Sequence, residues 1–249
     1  MSMGGMMEDG RQTVLVVSAH AADFVWRAAG AIALYAERGY RVRILCLSYG
    51  ERGESERLWK IPGMTVERVK EDRHAESSRA AAILGAEIRF LDMGDYPIVP
   101  TEEKIVEMVN EFRELKPEIV LTHSFEDPYN PDHPMANELT LKARVYAQAA
   151  GYPAKGKGKQ GDAPPVFLFE PHQPEQCNFK PQVLLDITAV WEKKLEAMKS
   201  MAAQEHLVSY YTDLGKRRGV QAVRNSGRRG IQYAEAFERI YPQVTDTLS

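Results

Sequence analysis

Along the chain, short apolar runs alternate with stretches whose apolar residues recur at the three-to-four spacing of a helix. Residues 14–18 (VLVVS) read as a buried strand, and residues 24–36 then read as an amphipathic helix. The alternation continues. Strands are predicted over 41–48, 87–92, 118–123 and 165–170, with helices over 65–84, 101–115 and 135–150. Thr65 and Gly85 read as the caps of the longest helix, and Pro117 stops the next one. Strands that alternate with helices predict right-handed βαβ units. The fold class is therefore α/β: a Rossmann-like, doubly wound, mostly parallel sheet. Beyond the fifth strand, residues 188–204 and 207–214 read as helical and 216–229 as a basic tail. Residues 231–241 read as a short helix or a strand–helix element. One domain over 13–249 is expected, with 1–12 a disordered tail and 205–249 a C-terminal helical and extended appendage.

Composition narrows the class without naming a function. At 249 residues, 44% hydrophobic and 27% charged, the chain suits one large globular domain. A formal net charge of -3 gives no electrostatic reason to expect nucleic acid or a membrane surface as partner. Two cysteines, Cys46 and Cys177, make neither a disulfide framework nor a thiolate zinc site, and they fit a reducing cytoplasm. The Gly- and Lys-rich segment 151–162 lacks a preceding strand and the ending of a phosphate loop, so a flexible surface loop is expected.

Chemistry gathers just beyond the predicted strands. Four of the six histidines lie there, namely His20, His123, His133 and His172. Acidic residues share those positions: Asp23, Glu51, Glu54, Asp127 and Asp132. In a doubly wound sheet these ends converge on one edge. His20, Asp23 and one later histidine would offer three nitrogen and oxygen ligands with a position left open, which is a catalytic rather than a structural metal pattern. Taken singly, each of these residues is as well explained as a cap or a turn former. His74 and His206 lie in helical patterns and read as surface or packing residues.

The run VVSAHAAD ending at Asp23 and the run NPDH ending at His133 resemble the two signatures of the PIG-L/LmbE-like metal-dependent deacetylases. Those signatures read AHPDDE and HPDH. The resemblance implies an LmbE-like fold and a divalent ion, zinc or else manganese or iron(II), held by His20, Asp23 and His133 with Asp132 beside them. The chain departs from the pattern at two positions. Ala22 stands where the family has the aspartate taken as general base, and Asn130 where it has the first histidine of the second motif.

Longer runs, at residues 20–27, 47–55, 127–134, 169–177 and 218–225, are similar to a hydratase branch of that family in bacterial aromatic catabolism. That likeness implies addition of water across the carbon–carbon double bond of a small tricarboxylate, 4-oxalomesaconate. Hydration needs a Lewis acid, a base for water and an acid for carbon. Glu54 is the expected base, with Glu51 second, and His172 the acid or proton shuttle. Arg27, Arg52, Arg218 and Arg224 are the expected carboxylate binders, with Asn130 beside them. A homo-oligomer is expected. Two alternatives stay open: an N-deacetylase of an N-acetylglucosamine conjugate, and a metal-binding relic without turnover.

Overall fold

The computed structural model describes residues 11–154 and 163–246. Most of the expected N-terminal tail and of the Gly- and Lys-rich segment lies outside them. Strand β1 (Thr13–Ser18) leads into α1 (Asp23–Glu37), then β2 (Arg41–Cys46), a short α2 (Glu56–Trp59), α3 (Val66–Leu84) and β3 (Glu87–Phe90). Next come α4 (Glu102–Leu115), β4 (Ile119–Thr122), α5 (Asp132–Gln148) and β5 (Val166–Phe169). Strand β6 (Val183–Asp186), α6 (Trp191–Lys199), α7 (Leu207–Ser226) and β7 (Ala234–Arg239) complete the described chain. One seven-stranded sheet results, in the order β3-β2-β1-β4-β5-β7-β6. Strands β1 to β5 pair in parallel, and β7 lies antiparallel to both β5 and β6.

The two faces of β1 seed two apolar layers. Val14 and Val16 face a layer built with α1, α3 and α6. Leu15 and Val17 face the other, built with α4 and α5. Because strand side chains alternate, one unbroken apolar run serves both layers. The strand order switches direction between β1 and β4, which opens a crevice at the carboxyl ends of those two parallel strands. Among the described residues, no helix is long and apolar enough to cross a membrane.

Several boundaries differ from the sequence pattern for physical reasons. Helix α5 begins at Asp132 rather than 135, because Pro131 can cap it and Pro134 falls in its first turn. His133 is therefore a helical residue. Helix α7 runs to Ser226 through the supposed basic tail. Gly219 lies inside this helix at a close approach, where a Cβ would lie 2.3 Å from the Gln232 carbonyl oxygen. Strand β6, unpredicted, is a four-residue edge strand (VLLD), too short to announce itself by periodicity. Residues 234–239 resolve to a strand, β7, that carries the C-terminal part of the chain into the sheet.

A buried ion pair ties β7 and α6 to the middle of α1. Glu235 accepts hydrogen bonds from the backbone N–H of Gly30 (2.7 Å) and Ala31 (2.8 Å). Lys194 donates to Glu235 (2.7 Å) and to the Trp26 carbonyl (2.9 Å). Removing one partner of such a pair strands a buried charge, at a cost of about 3–5 kcal/mol. Glu235→Ala is accordingly expected to lose about that much stability in urea unfolding. A loss below ~1 kcal/mol would show that the pair does not hold α1 in place.

Candidate metal centre

His20 sits on the turn between β1 and α1, and Asp23 opens the helix. Asp23 folds back on the turn, its Oδ2 accepting the His20 backbone N–H at 2.9 Å. The Ser18 hydroxyl donates to the His20 carbonyl at 2.6 Å. The three-residue spacing therefore sets both side chains on one side of a locked turn. His20 Nδ1 stands 3.2 Å from Asp23 Oδ2 and 3.2 Å from Glu54 Oε1. His133 Nε2 approaches from the first turn of α5, 3.3 Å from Asp23 Oδ1 and 3.9 Å from Glu54 Oε1. One ligand atom from each of His20, Asp23, Glu54 and His133 lies within 4.8 Å of the other three.

The far side of each imidazole is braced by a carboxylate. His20 Nε2 lies 3.1 Å from Asp95 Oδ1 and 3.3 Å from Asp132 Oδ2. His133 Nδ1 lies 2.7 Å from Asp127 Oδ2. A carboxylate behind an imidazole fixes its orientation and raises its basicity as a ligand. Backbone amides brace those carboxylates in turn. Gly53 N–H meets Asp95 (2.8 Å), Tyr96 and Ile98 N–H meet Asp132 (3.0 and 2.9 Å), and Tyr129 N–H meets Asp127 (3.0 Å).

Electrostatics favours positive charge at this point. Burial draws the His20 pKa down, yet the Glu54 charge and hydrogen bonds to Asp132, Asp23 and Asp95 hold it well above its ordinary value. Burial pushes Asp23 up, and its histidine neighbours, His133 foremost, outweigh it, leaving its carboxyl well below the usual range. His133 Nε2 and Glu54 Oε2 are buried without a hydrogen-bond partner. An imidazole nitrogen turned toward carboxylate oxygens fits a ligand to a cation, since each side offers a lone pair. Two nitrogens and two carboxylates form a donor set that suits a divalent ion.

The remaining predicted residues fall in different places. Glu51 is buried, with its carboxylate 3.6 Å from Lys70 and outside the cluster. Arg27 is buried beside the cluster, its Nε 3.5 Å from Asp23 Oδ1 and its Nη1 donating to the Glu170 carbonyl at 3.3 Å. Arg52 is exposed and donates to the Asp95 carbonyl at 3.2 Å. Arg218 forks onto the Glu170 carboxylate (Nε to Oε2, 2.9 Å), so its planar donors already face a carboxylate. Arg224 is exposed in the last turn of α7. Asn130 is buried and its side-chain oxygen accepts the Asp132 N–H at 3.1 Å, which anchors the start of α5. His172 lies beyond β5 and outside the cluster, against Tyr210 and Tyr211.

His123 reaches the cluster's edge as support. Its Nε2 accepts the Ala19 N–H at 2.9 Å and its ring stacks on His133 at 4.2 Å. Burial, then His133, pushes its pKa well below the ordinary value, so it is a neutral acceptor. Asp95 was passed over in the sequence pattern, although it follows the third strand. The rule that gathered the other strand-end acids would have found it. Beside Glu54 opens a cavity of about 550 Å³ lined also by Arg57, Lys60, Gln204 and His206.

Known proteins share this arrangement of chain. Residues 15–144 match the PIG-L family, described as GlcNAc-PI de-N-acetylase. The chain is 51% identical to a 4-oxalmesaconate hydratase of Pseudomonas putida KT2440, over 98% of this chain and 95% of that one. It superposes on the crystal structure of GalB, the 4-carboxy-2-hydroxymuconate hydratase from Pseudomonas putida KT2440. The TM-score is 0.92 at 51% identity, with 96% and 100% of the two chains covered. An N,N'-diacetylchitobiose deacetylase from Pyrococcus horikoshii, 20% identical, shares the fold at a TM-score of 0.77 over 93% and 84% of the chains. The match to more than half of the chain, together with that near full-length relative, means that this chain belongs to the PIG-L family.

Proposed function

We propose that the chain is a metal-dependent hydro-lyase that adds water across the carbon–carbon double bond of 4-oxalmesaconate, giving 4-carboxy-4-hydroxy-2-oxoadipate. The reading draws on the relative that is 51% identical over nearly the whole chain. The observation that carries it is Ala22. Where the deacetylase signature has its base, this chain has a methyl sealed in the core, beneath the first turn of α1. Among the described residues, Glu54 is the other carboxylate facing both His20 and His133, and it comes from the loop after β2. A proton acceptor is thus present on a different element.

His20, Asp23 and His133 are the proposed ligands, for zinc or, with the same donor set, for manganese or iron(II). When bound, such an ion would hold the substrate's oxo and carboxylate oxygens and stabilise developing negative charge. Glu54 takes a proton from the attacking water through Oε2, the oxygen without a protein partner. His172 delivers a proton to the neighbouring carbon. Sheet order supports this division: the loops after β2 and β5 flank the β1–β4 crevice from opposite sides. Burial, and next the Arg27 charge, hold the His172 pKa below its ordinary value, so the free protein carries it neutral near pH 7. A trianion bound beside Arg27 opposes that charge and draws a proton onto His172. Arg27, whose Nε makes no hydrogen bond, is the proposed cation for one substrate carboxylate.

A spectrophotometric assay tests the reaction. Zinc-loaded protein is expected to remove the ultraviolet absorbance of the conjugated double bond of 4-oxalmesaconate, to stop on chelation and to resume when zinc is restored. Acetate release from an N-acetylglucosamine conjugate, with that absorbance untouched, would return the chain to the deacetylases. Variants separate ligand from base. Asp23→Asn and His133→Ala are expected to lose metal and activity together. Glu54→Gln is expected to keep stoichiometric metal while kcat falls by about 10²-fold or more. Metal loss in Glu54→Gln, read by elemental analysis, would make Glu54 a ligand instead.

A further inference from the structure

The first turns of α7 hold His172 from two directions. Tyr210 stacks its ring on the imidazole at 4.3 Å and 26°, and its hydroxyl donates to the His172 carbonyl. Tyr211, buried, brings its hydroxyl to 3.4 Å from His172 Nδ1. The Tyr211 ring is itself fixed, stacked on Trp26 of α1 at 5.5 Å and 23° and met edge-on by Tyr210. A phenol gripped on both sides has little freedom to release what it bonds. Among the described residues, no protein group bonds Nε2 of His172, and the ring borders a cavity of about 330 Å³. The two nitrogens therefore stand in different surroundings.

We propose that Tyr211 is a positioning residue: its oxygen accepts the Nδ1–H of His172 and so makes Nε2 the nitrogen that gives up and regains the proton. The inference rests on the reading of His172 as the proton donor. The proton balance is simple. Imidazolium carries both N–H groups, with Nδ1–H bonded to Tyr211. Transfer of the Nε2 proton to the substrate carbon leaves a neutral ring with its proton still on Nδ1. A proton from solvent then restores Nε2–H. The Tyr211 contact persists through the cycle, and the ring need not rotate. Without it, a neutral ring can settle with its proton on Nε2, and recharging must then take place at Nδ1, the nitrogen turned toward helix α7.

The test uses full-length, zinc-loaded protein labelled with 15N-histidine. The neutral His172 ring is expected to show an Nδ1–H signal in the unsubstituted protein, and a mixture or the Nε2–H form in Tyr211→Phe. The phenyl ring keeps the stack on Trp26, so the fold is preserved. In Tyr211→Phe, kcat is expected to fall by about 10- to 100-fold with KM changed by less than about two-fold and metal content unaltered. An Nε2–H ring in the unsubstituted protein, or an unchanged kcat in Tyr211→Phe, overturns the proposal. Full activity in His172→Ala would instead overturn the role given to His172. The tautomer measurement reads the Tyr211 contact without reference to activity, so the two failures are distinguishable.

Discussion

Five carboxylates, those of Asp23, Glu54, Asp95, Asp127 and Asp132, meet the imidazoles of His20, His123 and His133 in one water-poor crevice. Their charge balance constrains the rest of the structure. An unmet buried carboxylate costs several kcal/mol, so each must be answered by cations or by N–H donors. The loops beyond the parallel strands supply those donors. The segment after β3 does this twice, carrying Asp95 on one side and offering the amides of Tyr96 and Ile98 to Asp132 on the other. Shortening that segment would strip Asp132 of two N–H partners. Positive charge at the centre completes the balance, and the raised His20 pKa expresses that demand.

Helix α1 transmits this centre outward. Its residues Asp23, Trp26, Arg27 and Gly30 occupy one stripe, at the i, i+3, i+4 and i+7 positions that elsewhere belong to an apolar face. Asp23 joins the cluster, and Arg27 spans from Asp23 to the Glu170 carbonyl at the end of β5. Trp26 stacks on Tyr211, and Gly30 gives its N–H to Glu235. One helical face thus links the turn after β1, the loop after β5, helix α7 and strand β7. Gly30 suits this place because a Cβ would stand 2.7 Å from Ile187 and 2.9 Å from the Glu235 carboxylate.

Much of this was legible in the residues, for reasons of periodicity and topology. Alternating strand and helix patterns specified the parallel sheet, and the strand-end rule drew His20, Asp23, Asp132 and His133 together from their spacing alone. What stayed hidden depends on tertiary contact. A glycine-bearing basic run reads as a tail until Gly219 is seen against the Gln232 backbone. Glu51 and Glu54 are alike in sequence, three residues apart on one charged loop. Only the fold turns Glu51 toward Lys70 and Glu54 toward the imidazoles. Arg218 reads as a free carboxylate binder until Glu170 is found in its fork.

The exchange at Ala22 bears on how one scaffold can serve two chemistries. A base in the β1–α1 turn shares the rigid turn that carries His20 and Asp23, so it would act beside the metal ligands themselves. Amide hydrolysis suits that, because one group can take a proton from water and hand it to the leaving nitrogen close by. Addition across a double bond asks for something else, an acceptor at one carbon and a donor at the next. In the proposed hydration these duties fall to Glu54 and His172, on loops from opposite flanks of the crevice, while the turn keeps only its two ligand candidates. Ala22 then does more than delete a base. With a methyl there, the β1–α1 turn carries no second carboxylate beside Asp23, and in the proposed hydration the two transfers remain on separate sides of the substrate.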